Sequence, residues 1–397
     1  MRIFEKDELK ILWPFYLEYF MASMLYVFPA FSVIYFLSIG LSAVQIGMII
    51  AVAPLASLIF EIPTGAFADL YGRKLSVLVG YFLECSVMLS LFFFKNYFVL
   101  LLLFLILGIA STFSSGSKDA WVVDLINKKN KHLVHNFFTK MQTFIYSGLI
   151  LSGILGAFLV KFFGLGIIWL ASATSYFISI VLLSVFAKEV YVKKKIELAD
   201  SFKNLKNQTS TALHYSYKHH VLFYLLLSIM VASISMSLQA AISWTPLLKE
   251  FGVQDYAFGY LWSGMSLMAA ISPLFATKFM KKGKEKRFIV LALILCATVT
   301  SLILFVSSLV PALLILFISL LFGYSKNPVQ SVYFHKFIPT KLRATISSVE
   351  SMFLSIGLII SPPIAGFLVD NIGPKYTIFI SAIVMIPAIL LFSKIKE

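Results

Sequence analysis

The chain has 397 residues, 60% of them hydrophobic and only 13% charged, with a mean hydropathy of +0.92. A soluble domain carries about 25% charged residues, so a soluble enzyme is excluded, and length is better counted in membrane spans of about 20 apolar residues each. The net charge of +15 could suit nucleic acid, but its distribution along the chain points to membrane topology instead.

Met1 to Lys10 is a charged segment, and the apolar run after it is too long for the core of a cleavable signal peptide, so none is expected. Apolar stretches then follow at 11–37, 43–67, 75–94, 97–118, 138–160, 167–187, 221–248, 257–277, 287–309, 311–333, 344–369 and 375–393. They predict twelve membrane-spanning helices. The polar breaks between them alternate in charge. Lys and Arg number 3 in 1–10, 2 at Arg73 and Lys74, 5 in 118–140, 7 in 188–218, 6 in 278–287, 4 in 326–343 and 2 in the C-terminal tail. The intervening breaks hold only Lys95, Lys161, Lys249 and Lys375. Basic loops stay on the cytoplasmic side, so both termini are expected there, with anionic lipid as a secondary contact. All five tryptophans (Trp13, Trp121, Trp169, Trp244 and Trp262) fall near predicted span ends, as an interfacial aromatic belt requires. Cys85 and Cys296 lie inside apolar runs and read as packing residues. No Cys/His cluster suggests a metal.

The longest polar stretch, 188–220, divides the chain into six spans and six spans. Three matches cross that divide at nearly constant spacing. Gly40-Leu-Ser-Ala-Val-Gln-Ile-Gly47 answers Gly252-Val-Gln-Asp-Tyr-Ala-Phe-Gly259 at an offset of 212. Ser117-Lys118-Asp119-Ala120 answers Ser325-Lys326-Asn327-Pro328 at 208. Ser152 to Val160 answers Ser361 to Val369 at 209, and Gly164 and Gly373 close both runs. The expected architecture is an all-α membrane protein of 12 transmembrane helices in two pseudo-symmetric six-helix bundles, 1–187 and 221–397, joined by a cytoplasmic linker at 188–220. Paired repeats around a central site are the plan of an alternating-access carrier.

Between the second and third spans stands Gly65-Ala-Phe-Ala-Asp69-Leu-Tyr-Gly72-Arg73-Lys74. It resembles the signature loop of the major facilitator superfamily, G-x-x-x-D-x-x-G-R-K, and span count, halves and loop placement extend that resemblance over the whole chain. Pro339-Thr-Lys-Leu-Arg343-Ala-Thr345, leading into the eleventh span, is similar to the same superfamily. Gly65 is expected to permit close helix contact and Gly72 a tight turn. Asp69 can cap the opposing half's helix N-terminus and pair with Arg73. The resemblance implies that Asp124, at the end of the fourth span, joins this gating relay. The second half lacks the motif, with Lys281-Lys-Gly-Lys-Glu-Lys286 in its place, so gating is expected to be asymmetric.

Glu18, Glu61, Glu84 and Glu350 lie within apolar sequence, and Asp119 closes the fourth span. A charge at mid-bilayer costs at least about 2.5 kcal/mol, so each is expected as a protonated or paired carboxyl, the chemistry of a proton-coupled carrier. Glu18 comes first, on a face that continues through Ala22, Tyr26 and Pro29 at helical spacing. Glu61 follows, and Glu84 and Glu350, on more peripheral spans, come after. The resemblance implies a cavity lined by spans one, four, seven and ten. These spans carry polar stripes that include Gln239, Asn327 and Gln330. The approach to the loop, Glu61-Ile-Pro-Thr-Gly65, looks like that of bacterial drug-efflux members. The fifth span keeps Gly148, Gly153 and Gly156 of the efflux pattern but lacks its proline.

The expected function is proton-coupled antiport, exporting a lipophilic cationic or neutral molecule across the bacterial inner membrane. Few buried bases and many aromatics (39 Phe, 18 Tyr) favour that substrate. Proton-coupled uptake of a small nutrient or organic solute is the alternative. The chain is expected to be a monomer with protons, lipids and a small molecule as partners and no nucleic acid. No catalytic grouping or cofactor is expected, the energy coming from the proton gradient.

Overall fold

In lipid every backbone N–H and C=O must be satisfied within the segment, so an apolar run of this length has the helix as its solution. The computed structural model describes residues 4–5, 8–127, 133–189, 214–281, 283–339 and 342–395. Most of the expected linker, with Lys193 to Lys195, lies outside the described residues. So do Lys128, Lys129, Lys131, Lys282, Thr340 and Lys341. Among the described residues, twelve helices are long and apolar enough to cross a membrane. They are α1 (Glu8–Ser38), α2 (Ala43–Tyr71), α3 (Arg73–Phe93), α4 (Tyr97–Asn127), α5 (Leu133–Phe163), α6 (Ile167–Phe186), α7 (His220–Glu250), α8 (Ala257–Phe279), α9 (Glu285–Phe305), α10 (Leu309–Lys336), α11 (Thr345–Ile372) and α12 (Pro374–Ser393).

Several helices run past their apolar stretch. Helix α4 continues to Asn127, and α5 begins at Leu133. Lys118 and Lys140, counted above among the loop charges, are therefore helical, as are Lys326 and Lys336 in α10. Hydropathy marks where apolar side chains stop, whereas the backbone ladder continues as long as the residues tolerate helix. Two tryptophans also depart from the expected belt. Trp121 and Trp169 are fully buried; the indole of Trp121 donates to the carbonyl of Lys188 at 2.9 Å and packs edge-on against Phe15.

The repeat is carried in the backbone. The positive-φ glycines form three pairs: Gly40 with Gly252 (φ 89° and 81°), Gly72 with Gly283 (104° and 79°) and Gly164 with Gly373 (78° and 88°). Each pair is 209 to 212 residues apart. Only glycine takes this left-handed conformation without strain, so both halves turn at the same points. Helix packing repeats as well. Helix α1 packs on α5 and α6, and α3 on α4 and α6; α7 packs on α11 and α12, and α9 on α10 and α12. Adding six to each number in the first set gives the second.

The first and seventh helices are interrupted at matching points. Helix α1 breaks at Tyr26 and Val27, between Leu25 and Phe28, and α7 breaks at Gln239 and Ala240, between Leu238 and Ala241, an offset of 213.

The chain divides into two compact units. One holds Met1–Tyr35, Leu55–Ser201 and Asp255–Ser266; the other holds Phe36–Pro54, Phe202–Gln254 and Leu267–Glu397. In the first unit Leu12, Phe15, Val77, Trp121, Phe137 and Leu183 build a core from α1, α3, α4, α5 and α6. In the second, Leu225, Ile289, Val329, Phe334, Val349 and Met385 do the same from α7, α9, α10, α11 and α12. Small residues let the helices meet backbone to backbone, which drives association where lipid is as apolar as the side chains. A Cβ at Gly148 would strike Phe20 and Ser23 of α1; one at Gly357 would strike Ser233 of α7. Gly153 packs against Gly259 of α8 within the first unit, and Gly47 against Pro362 of α11 within the second.

Candidate functional site

The first unit buries an ion pair between α1 and α4. Glu18 is fully buried, and its Oε2 lies 3.1 Å from Nζ of Lys118. Tyr81 of α3 closes the triangle: its hydroxyl donates to Oε1 of Glu18 at 2.8 Å and accepts from Nζ of Lys118 at 2.7 Å. The same ammonium sits 3.8 Å from the ring centroid of Tyr19, whose hydroxyl donates to Oδ1 of Asp119 at 3.2 Å. A buried pair of this kind persists only when its remaining donors and lone pairs are also met, and here two tyrosines meet them.

Glu84 lies one turn beyond Tyr81 on α3, which puts both on one face. It is only 5% exposed, and its Oε2 is buried with no hydrogen-bond partner among the described residues. Glu18, Lys118, Tyr26 and Tyr176 are near enough to act on it electrostatically. Tyr26 stands at the break in α1, its ring edge-on to Tyr176 of α6 at 6.4 Å, and Tyr176 is 5.8 Å from the ring of Tyr81. A chain of tyrosine rings thus joins the broken helix to the acids.

The second unit carries a counterpart. Lys326 of α10 is 7% exposed, and its Nζ donates to Oδ1 of Asn327 at 3.1 Å and Oε1 of Gln330 at 3.2 Å. Gln239, buried at the break in α7, accepts from Thr300 Oγ1 of α9 at 3.4 Å. Cys296 of α9 donates to the carbonyl of Ser319 in α10 at 3.5 Å and feels the charge of Lys326. Glu350 of α11, half-buried, feels that charge as well, from beyond ion-pair distance.

Of the residues expected from sequence, Glu18, Asp119, Tyr26 and Glu84 come together in the first unit, and Gln239, Asn327, Gln330 and Glu350 in the second. Glu61 joins neither; it is exposed on α2, its carbonyl accepting from Thr64 at 3.2 Å. Lys118 and Lys326 were missed as site residues because both were counted among the loop charges. The signal was present in the sequence, since each is the lysine of a Ser-Lys pair in one of the repeat matches.

At the motif loop, Arg73 pairs with Asp124 at 2.9 Å. Lys74 donates to the carbonyls of Ser184 and Ala187 at 2.8 and 2.7 Å. Glu189 accepts from the backbone N–H of Lys74 at 2.9 Å, a carboxylate on the positive end of α3. Gly72 makes the expected turn. Asp69 stands in the last turn of α2. Gly65 departs from expectation: a Cβ there would meet open space, so no close helix contact requires glycine at that position.

Among known families, the model of the Major Facilitator Superfamily matches residues 15–349. An uncharacterized MFS-type transporter of Bacillus subtilis (strain 168), YxaM, is 24% identical over 386 residues, covering 94% of this chain and 93% of that protein. The crystal structure of the nucleoside transporter NupG superimposes with a TM-score of 0.75 at 14% identity, covering 96% of this chain and all of that one. A D-xylose-proton symporter gives 0.71 at 14% identity, covering 97% and 98% of the two chains. At such identities the structures share the fold.

Proposed function

The chain belongs to the major facilitator superfamily of multi-pass membrane transporters, and from that premise we propose that it moves its substrate by proton-coupled alternating access. The observation that carries the coupling is Glu84, a buried carboxyl with one unpartnered oxygen, beside the Glu18–Lys118–Tyr81 triangle. In this reading Glu84 holds the transported proton. When it lets the proton go, Lys118 is shared between two carboxylates, the Glu18 contact loosens and α1, α3 and α4 readjust. Tyr26 and Tyr176 pass that change to the break in α1. Arg73, Lys74 and Asp124 act as the gating contacts.

Proton/substrate antiport in the export direction remains the first reading, on the efflux-like approach to the loop. Uptake with the proton is the second, favoured by the missing proline after Gly153. Both termini are assigned to the cytoplasm on the charge pattern, in a bacterial inner membrane, with a monomer as the working unit and 1–187 and 221–397 as its two halves. The tyrosine-rich surroundings of Glu84 suit a lipophilic small molecule. The case for a cationic or neutral one rests on buried acids, few buried bases and many aromatics; Lys326, buried, and Lys118, its side chain 13% exposed, weaken the second of these grounds.

The test is proton movement in proteoliposomes, using ligands found by thermal-shift screening of the purified protein. Glu84→Gln is expected to abolish coupled proton flux while ligand binding persists. Full coupling in Glu84→Gln would sink the assignment.

A further inference from the structure

Lys118 and Lys326 occupy equivalent positions in the two repeats, yet only Lys118 has a counter-ion. No carboxylate lies within ion-pair distance of Lys326 among the described residues. An ammonium has three N–H donors. Two of those on Lys326 reach the side-chain oxygens of Asn327 and Gln330, both neutral and both on its own helix. The third has no acceptor among the described residues. Such a cation, more than nine-tenths buried, is held by dipoles alone, the situation that burial tolerates least without a compensating charge.

We propose that Lys326, with Asn327, Gln330 and Gln239, binds an anionic group of the transported molecule, a carboxylate on an otherwise apolar compound. The amide oxygens of Asn327 and Gln330 face the ammonium, which leaves their NH2 groups as donors beside it. Gln239 adds a further amide from the break in α7, and unwound helix breaks are where carriers of this architecture hold ligand charges. One lysine matches a single negative charge; among the described residues no arginine fork is present to favour a phosphate. The surrounding Met236, Cys296 and Gly323 supply apolar contact. Among the described residues, Glu350 is the carboxyl placed to compete for Lys326, and Cys296 is the other titratable group that faces it.

This deepens the transporter reading and rests on it, but the test reads the lysine without proton flux. Thermal unfolding of the purified full-length protein in detergent is followed with three probes of matched size: benzoate, benzylamine and benzyl alcohol. Benzoate is expected to raise the midpoint of the wild type in a saturable way, and the other two are not. In Lys326→Met the half-saturating concentration rises at least about tenfold, the loss of one charge-assisted contact. Lys326→Arg keeps the response, and Lys326→Gln repeats the loss if the methionine variant folds poorly. No benzoate response in the wild type, a preference for benzylamine, or an unchanged response in both neutral variants overturns the proposal. Proton flux that fails while benzoate binding stands overturns only the coupling reading.

Discussion

The two units place a lysine at the same point of the same repeat and treat it in opposite ways. In the first, Lys118 is locked by an acid on α1, a tyrosine on α3 and a second tyrosine ring. In the second, Lys326 is left with two amide oxygens of its own helix. The sequence difference behind this is small: Asp119 follows Lys118, whereas Asn327 follows Lys326, and α7 offers no acid where α1 offers Glu18. A duplicated framework has therefore yielded one internally neutralised charge and one open charge. The teaching is that equivalent positions in a repeat share backbone geometry and not electrostatics.

The sharpest way to break this comparison is to remove each lysine. Lys118→Met strands the fully buried Glu18 and is expected to cost about 3–5 kcal/mol, seen as a drop in melting midpoint and detergent-purified yield. Lys326→Met removes a charge that had no partner, so its midpoint should stay level or rise without ligand. Equal losses in the two would erase the distinction.

Next in size is the double variant Glu18→Gln with Lys118→Met. Neutralising both partners should recover most of the single-variant loss, with a coupling of about 1–3 kcal/mol in the thermodynamic cycle. Additive losses would mean that the pair is held by packing rather than by charge.

A subtler change makes the second unit resemble the first. Asn327→Asp supplies Lys326 with an acid of its own and should weaken benzoate binding at least about tenfold while leaving melting nearly unchanged. Undiminished benzoate binding would count against an open charge. The smallest effect is expected at Arg73→Ala. The side chains of that pair are 24% and 47% exposed, and solvent-exposed ion pairs contribute about 0–1 kcal/mol. A loss as large as that of Lys118→Met would show that burial is not what separates the pairs.

Much of the fold was legible because it rests on signals that hydropathy and spacing preserve. Apolar runs marked all twelve helices, and the glycine-bearing matches located four of the six left-handed glycine turns among the described residues. Helix ends were not legible, since the α4 backbone stays helical for nine residues beyond its apolar stretch. Lys118, the last residue of that stretch, was counted with the loop charges and so passed over as a site residue. Glu18 stood out as an acid in apolar sequence, but its partner is 100 residues away, and no local pattern links them. Glu84 comes after Glu18 and Glu61 because its span is more peripheral. Its one-turn spacing from Tyr81 brings it back.

One contact ties the chain's beginning to its end. Both side-chain oxygens of Asp370, at the close of α11, accept from the first amides of α2, Ala43 N at 3.0 Å and Val44 N at 2.9 Å. These donors have no acceptor within their own helix. During synthesis the start of α2 therefore waits for a residue made 327 positions later. Until then the cap of α2 is local: Ser42 Oγ accepts from the backbone N–H of Gln45 at 3.3 Å and Gln45 Oε1 from that of Ser42 at 3.0 Å, while the Ala43 and Val44 amides stay without their carboxylate.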